Sequence, residues 1–194
     1  MIVCFEGIWG TGKTTTAKKL AALFNAEYIP EPDHKLLQKC PGNLDSWYRD
    51  SFYEIIDNCS ETKLTFLDRS LASWAAFLMA RDGKIQPNWH EKYQKLDFTI
   101  VLTAPMEHKL AITAKDHPKF PKINYLLNNP RFVYSVEQNI IRFSRQISRK
   151  QLVVDMAKTP DTLIDEVRCL INEEFGKISN HHQILQKYGS TNFR

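Results

Sequence analysis

No apolar stretch in this 194-residue chain is long enough to span a bilayer, so no membrane partner is expected. The four cysteines, Cys4, Cys40, Cys59 and Cys169, lie far apart and form no Cys-x-x-Cys. Reduced thiols and a cytoplasmic setting are the simplest reading. His181 and His182 lack partners at ligand spacing, so they suggest no metal site. Internal repeats and low-complexity segments are absent. Met1 opens an apolar run directly, which on this reading leaves no room for a signal peptide. Charge of one sign is also scarce. A net charge of +4 suits an anionic small molecule and is too weak to argue for nucleic acid. Composition is otherwise ordinary for a globular domain, with 43% hydrophobic and 25% charged residues. The length suits one domain with a sizeable core.

The informative segment is Gly7-Ile-Trp-Gly-Thr-Gly-Lys-Thr14, a complete G-x-x-x-x-G-K-[ST] phosphate-binding loop. Its context fits. Met1–Phe5 is a continuous apolar run, as in a strand buried on both faces. Residues 13–25 read as a helix with Ala17, Leu20, Ala21 and Phe24 on one face. Gly7, Gly10 and Gly12 let the backbone turn and approach an anion. The amides around Thr11 and Thr15 then meet the positive end of the helix. Lys13 reaches nucleotide phosphates and the Thr14 hydroxyl can ligate Mg²⁺. ATP and Mg²⁺ are therefore the expected cofactors.

Strand-like and helix-like segments alternate along the chain. Strands are expected at 27–29, 63–67, 97–103 and 151–155. Helices are expected at 46–58 with Ser46 as a possible cap, 71–81, 106–114, 131–149 and 160–175. The alternation predicts an α/β fold, a parallel sheet with helices on both faces. Residues 1–176 form one domain on this reading. Residues 113–130, rich in Lys, Pro and Asn, form a lid, and 177–194 form a tail or short helix. Ligands of such sheets sit beyond the carboxyl ends of the strands. The loop, Glu31, Asp68, Arg69 and the segment after Thr103 all fall there.

Asp68 closes an apolar strand. It can hold Mg²⁺ through water or cap the next helix, and the phosphate loop upstream favours the metal. Arg69 beside it fits a phosphate cleft. Glu31 is either an acceptor base or a solvated loop acid. Arg142, Arg145 and Arg149 share a helical face, read first as solvated basic surface.

Phe5-Glu6-Gly7 through Thr15, Glu31-Pro32 and Asp68 through Phe77 (DRSLASWAAF) together resemble the thymidylate kinase and deoxynucleoside kinase superfamily. The resemblance covers most of residues 1–175. It implies a five-stranded parallel sheet, a mobile lid and phosphoryl transfer from ATP with Mg²⁺. Lys13, Asp68 and Arg69 become catalytic, and Glu31 becomes the base for a nucleoside 5′-hydroxyl. Trp9, Trp47, Arg49, Phe52 and Ser73 join Glu31 and Arg69 around the acceptor, although helical spacing favours core for Phe52 and leaves Trp47 and Arg49 even. The chain departs from thymidylate kinases at Trp9, Pro30 and Ser70. Its lid offers Lys115, Lys119 and Lys122 in place of arginines, a gap that Arg142, Arg145 and Arg149 could fill.

The lead expectation is an ATP-dependent kinase of a nucleoside hydroxyl or a closely related nucleotide acceptor. Alternatives are a thymidylate-kinase-like monophosphate kinase, a kinase of a non-nucleoside alcohol and a nucleotide-binding switch without phosphotransfer. A homodimer stays open.

Overall fold

The computed structural model describes residues 1–32, 43–60, 62–86, 88–91, 93, 96–113, 124–155, 162 and 164–173. The chain falls into two compact units, Met1–Lys158 and Thr159–Arg194, a division earlier than the one expected after residue 176. In the second unit residues 164–173 are helical. The tail 177–194 lies outside the described residues.

The first unit is built on β1 (Ile2–Gly7), buried at every position. It pairs in parallel with β3 (Thr65–Asp68) on one edge and β4 (Leu96–Thr103) on the other. β2 (Glu27–Ile29) lies outside β3, and β5 (Ser148–Asp155) lies outside β4. The sheet is therefore five-stranded, all parallel, in the order β2-β3-β1-β4-β5.

Side chains alternate across a strand. Val3 and Phe5 share the face covered by α1 (Lys13–Phe24), where Ala17, Leu20 and Ala21 are buried. The Phe24 ring lies 6.1 Å from Phe66 on this side. Ile2 and Cys4 turn to the opposite face. There they join one core with α2 (Leu44–Asn58), α3 (Leu71–Asp82) and α6 (Pro130–Ile147). α6 presents Phe132, Val133, Val136, Ile140, Phe143 and Ile147 at helical spacing, all buried. Helices thus cover both faces, as the alternation predicts.

Several boundaries differ from the sequence expectations, and each difference has a local cause. α2 starts two residues early because Asn43, rather than Ser46, is its cap, accepting from the Asp45 amide at 3.0 Å. α6 starts at Pro130, capped by Asn129, with proline at the position where its missing N–H costs nothing. It ends at Ile147 and passes into β5 without a loop, so residues 148 and 149 are strand.

Part of the expected lid is packed. α5 (Asn124–Leu127) buries Leu127 completely. α4 (Met106–Thr113) is tied to α6 by a buried ion pair, Lys109 Nζ to Glu137 Oε2 at 2.5 Å. Lys115, Lys119 and Lys122 lie outside the described residues.

Phe52 belongs to the core, 1% exposed between α2 and its neighbours, which removes it from the acceptor contacts. Truncating a buried phenylalanine costs about 3–5 kcal/mol. Phe52→Ala is therefore expected to lower stability by that much in chemical denaturation. The volume-sparing Phe52→Leu should leave nucleotide affinity unchanged by calorimetry. Weakened affinity at normal stability would return Phe52 to the site.

Candidate active site

The register assembles the site. Phe5 pairs with Asp68, and Gly7 with Leu102, so the phosphate loop, Asp68 and the end of β4 emerge at one edge of the sheet. Gly7 has φ 139°, and a Cβ there would stand 2.3 Å from the Leu102 carbonyl oxygen. Only glycine lets the loop leave β1 so close to β4. Gly12, at φ 80°, starts α1 with no side-chain cap of its own. The amides of the first helical turn are left for an anion.

Within the loop, Lys13 Nζ donates to the Ile8 carbonyl at 2.7 Å, and Thr11 Oγ1 donates to the same oxygen at 2.8 Å. Burial, followed by the nearby Arg69 charge, pulls the Lys13 pKa down to about 7. Asp68, Glu31 and Glu6 act in the opposite sense. A polyphosphate arriving beside this amine would favour its charged form. Gly10 and Thr15 are exposed around the loop.

Thr14 Oγ1 donates to Asp68 Oδ2 at 2.5 Å, and the Tyr28 hydroxyl donates to the same oxygen at 3.1 Å. Asp68 Oδ1 is buried and has no hydrogen-bond partner among the described residues. Asp68 does not cap α3. That role belongs to Ser70, whose hydroxyl accepts from the Ala72 amide at 3.2 Å. A spare buried carboxylate oxygen beside a threonine hydroxyl suits a hard, oxygen-seeking cation. No group of three or more His, Cys, Asp or Glu among the described residues could hold a metal alone. The other ligands of a Mg²⁺ ion would therefore be phosphate oxygens and water.

Arg69 sits between the loop and Glu31. Its Nη1 donates to the Gly7 carbonyl at 3.1 Å and to Ser73 Oγ at 2.9 Å. Its Nε lies 3.3 Å from Glu31 Oε2. The guanidinium stands over the Trp9 ring, 5.7 Å from its centroid, and Trp9 packs edge-on against Phe77. Lys13, Glu31, Asp68, Arg69 and Trp9 are thus brought together.

Ser73 joins this cluster through Arg69, and the remaining expected contacts lie outside it. The Ser73 hydroxyl is taken up internally, donating to Glu6 while it accepts from Arg69. Arg49 donates to Asp50 at 2.9 Å and lines a separate cavity of about 360 Å³ with Ser46, Trp74, Leu78 and Lys84. Trp47 stacks edge-on with Tyr48. Arg145 donates to Gln151 at 2.6 Å, and Arg149 reaches Asp97 at 3.4 Å. Both sit near the amino ends of β4 and β5, away from the phosphate loop.

Two site residues escaped the sequence reading. Glu6, buried against Ser70 and Ser73, is hidden in an apolar strand, though a lone acid in such a run is a signal. Burial pushes its carboxyl upward, while Arg69 and the serine donors oppose the shift. Tyr28 looked like an ordinary strand residue. Burial and Asp68 push its hydroxyl upward, so it remains a donor.

The Asp68 geometry yields a direct test. Asp68→Asn is expected to abolish the Mg²⁺-dependent gain in ATP affinity, a loss on the order of tenfold or more. Binding measured in EDTA and stability to denaturant should change little. Calorimetry with and without Mg²⁺ reads both. An undiminished Mg²⁺ effect would sever Asp68 from the metal.

The comparisons agree with this geometry. A family model described as an AAA domain matches residues 2–119, more than half of the chain. No curated protein matches. Deoxyadenosine kinase from M. mycoides superposes with a TM-score of 0.62 at 17% identity, covering 89% of this chain and 99% of that one. Thymidylate kinase from Candida albicans gives 0.61 at 19%, covering 89% and 91%. Thymidylate kinase from Ehrlichia chaffeensis gives 0.61 at 17%, covering 88% and 98%. The fold is therefore that of P-loop nucleoside and nucleotide kinases. Since the matched segment holds the phosphate loop, Glu31, Asp68 and Arg69, the chain belongs to the AAA domain family.

Proposed function

We propose that the protein is an ATP-dependent phosphotransferase whose acceptor is a nucleoside hydroxyl. The observation that carries this reading is the Glu31–Arg69 ion pair, 3.3 Å apart beside the phosphate loop. A carboxylate held there by a cation can take the proton of a hydroxyl while the cation faces transferring phosphate. The solved deoxyadenosine kinase, described as holding the products dCMP and dCDP, supports a nucleotide ligand.

The geometry suggests a simple sequence. The loop amides and Lys13 hold the β- and γ-phosphates of ATP. Lys13 leaves the Ile8 carbonyl to do so. Thr14 and Asp68 would hold Mg²⁺, which when bound would neutralise phosphate charge and help fix its orientation. Tyr28 keeps Asp68 oriented. The acceptor hydroxyl gives its proton to Glu31 as its oxygen attacks the γ-phosphorus, and ADP leaves. Arg69 stabilises the charge that spreads over the moving phosphoryl group. Among the described residues no helix is long and apolar enough to cross a membrane. Cys4, Cys59 and Cys169 are free thiols, which supports a cytoplasmic setting.

Arg69 also favours a second reading. A guanidinium at the loop mouth can grip an acceptor monophosphate, as in a thymidylate-kinase-like enzyme. ADP release measured across a panel of nucleosides and monophosphates decides between them. A nucleoside should be turned over best, and Glu31→Gln should lower kcat about 10²–10⁴-fold with ATP affinity retained. Preference for a monophosphate would establish the second reading. ADP release that no acceptor stimulates would leave a nucleotide-binding switch.

A further inference from the structure

We infer that Glu6 is a positioning residue for Arg69, acting through Ser70 and Ser73, and that Ser73 is its relay. This deepens the kinase reading above and rests on it for its catalytic consequence.

Glu6 is fully buried in a strand whose preceding residues are all apolar. Four donors converge on its carboxylate, the Cys4 thiol being the most distant at 4.0 Å from Oε1. The Ser70 amide approaches Oε1 at 2.8 Å, the Ser70 hydroxyl reaches the same oxygen at 2.5 Å, and the Ser73 hydroxyl donates to Oε2. A serine hydroxyl has one proton to give. Ser73 Oγ already accepts from Arg69 Nη1, a group that can only donate, so its own proton must go to Glu6. The chain of donation has one direction, from guanidinium to hydroxyl to carboxylate. Hydrogen bonds ending on an ionised group are the stronger kind.

The backbone explains why such an anchor is needed. Arg69 has φ 75°, a left-handed conformation that a long side chain rarely adopts. The chain is pinned on both sides of it. The Arg69 amide donates to the Phe5 carbonyl at 2.9 Å, and the next amide, of Ser70, donates to Glu6. This turn sends the guanidinium back over β1 to the Gly7 carbonyl, Glu31 and Trp9. Capping α3 does not require Glu6, because the Ser70 hydroxyl already accepts from Ala72. The bridge through Ser73 adds nothing to the cap. It acts on Arg69.

The test uses Ser73→Ala, Ser73→Thr and Glu6→Gln in the full chain. Ser73→Ala removes one small hydroxyl and keeps the experiment possible should Glu6→Gln fold poorly. The first readout needs no substrate. It is the solvent exchange of the Arg69 Nε–H in nitrogen-15 spectra, identified by its loss in Arg69→Lys. Ser73→Ala and Glu6→Gln should speed this exchange about tenfold, and Ser73→Thr should restore it. The second readout is turnover with the acceptor that the panel selects. In Ser73→Ala kcat should fall about ten- to hundredfold, the usual cost of a misplaced catalytic group. KM for ATP should stay within about twofold, and Ser73→Thr should recover kcat. Wild-type exchange in either Ser73→Ala or Glu6→Gln overturns the inference, as does a kcat loss that Ser73→Thr does not repair. If the wild type turns over no acceptor, the kinase reading fails, while the exchange rates still decide whether Glu6 positions Arg69.

Discussion

β1 is hydrogen-bonded in parallel along both edges, and the site depends on that double pairing. Parallel strands deliver their carboxyl ends to one edge of the sheet. The pairing of Phe5 with Asp68 and of Gly7 with Leu102 therefore sets the distance between the phosphate loop, the Asp68 carboxylate and the start of α4. A slip of one residue would turn every side chain of β1 to the other face. Glu6 would then point toward α1, away from Ser70 and Ser73. The apolar pattern of Ile2 to Phe5, packed on both faces, guards against this slip.

Polar groups are buried around this strand at a cost that only full pairing offsets. Glu6, Lys13, Asp68 and Arg69 are each less than a tenth exposed. Their charges alternate in sign and share partners. Arg69 disfavours the charged state of Lys13, while Asp68, Glu31 and Glu6 sustain it. Two atoms are exceptions: Asp68 Oδ1 and Arg69 Nε are buried with no hydrogen-bond partner among the described residues, although Nε lies 3.3 Å from Glu31. The strained backbone of Arg69 belongs to the same arrangement. A left-handed residue costs on the order of 1–3 kcal/mol and persists where its surroundings hold it. Strain and unmet polar capacity at one strand end are what a ligand-binding edge accumulates.

Much of this was legible in the residues. The loop from Gly7 to Thr14 names its own chemistry, because glycine spacing and Lys-Thr allow few other uses. The alternation of elements was readable because strand and helix have different hydrophobic periods. Lys13, Glu31, Asp68 and Arg69 were identifiable because each ends a strand or begins a helix at the same edge. Other features were not readable. Asn43 displaced Ser46 as the cap of α2, since both residue types cap and only the backbone chooses. Phe52 and Ser73 were assigned to substrate because helical spacing does not reveal which neighbour a face meets. The arginines at 145 and 149 suggested lid cations because linear spacing carries no information about which end of the sheet they reach.

By itself the order of residues determined the fold class, the phosphate loop and the identity of the charged groups near it. Those properties arise from local geometry: glycine's freedom, the two periodicities and the preference of strands and helices for particular residues. Tertiary structure alone decided the partners. It joined Thr14 and Tyr28 to Asp68, and Glu31 to Arg69. It also made Glu6, a lone acid in an apolar strand, the anchor of two serines on another element. The physical reason is that hydrogen bonds and ion pairs act over a few ångströms, and residues sixty positions apart come within that range only when strand register and helix packing bring them there.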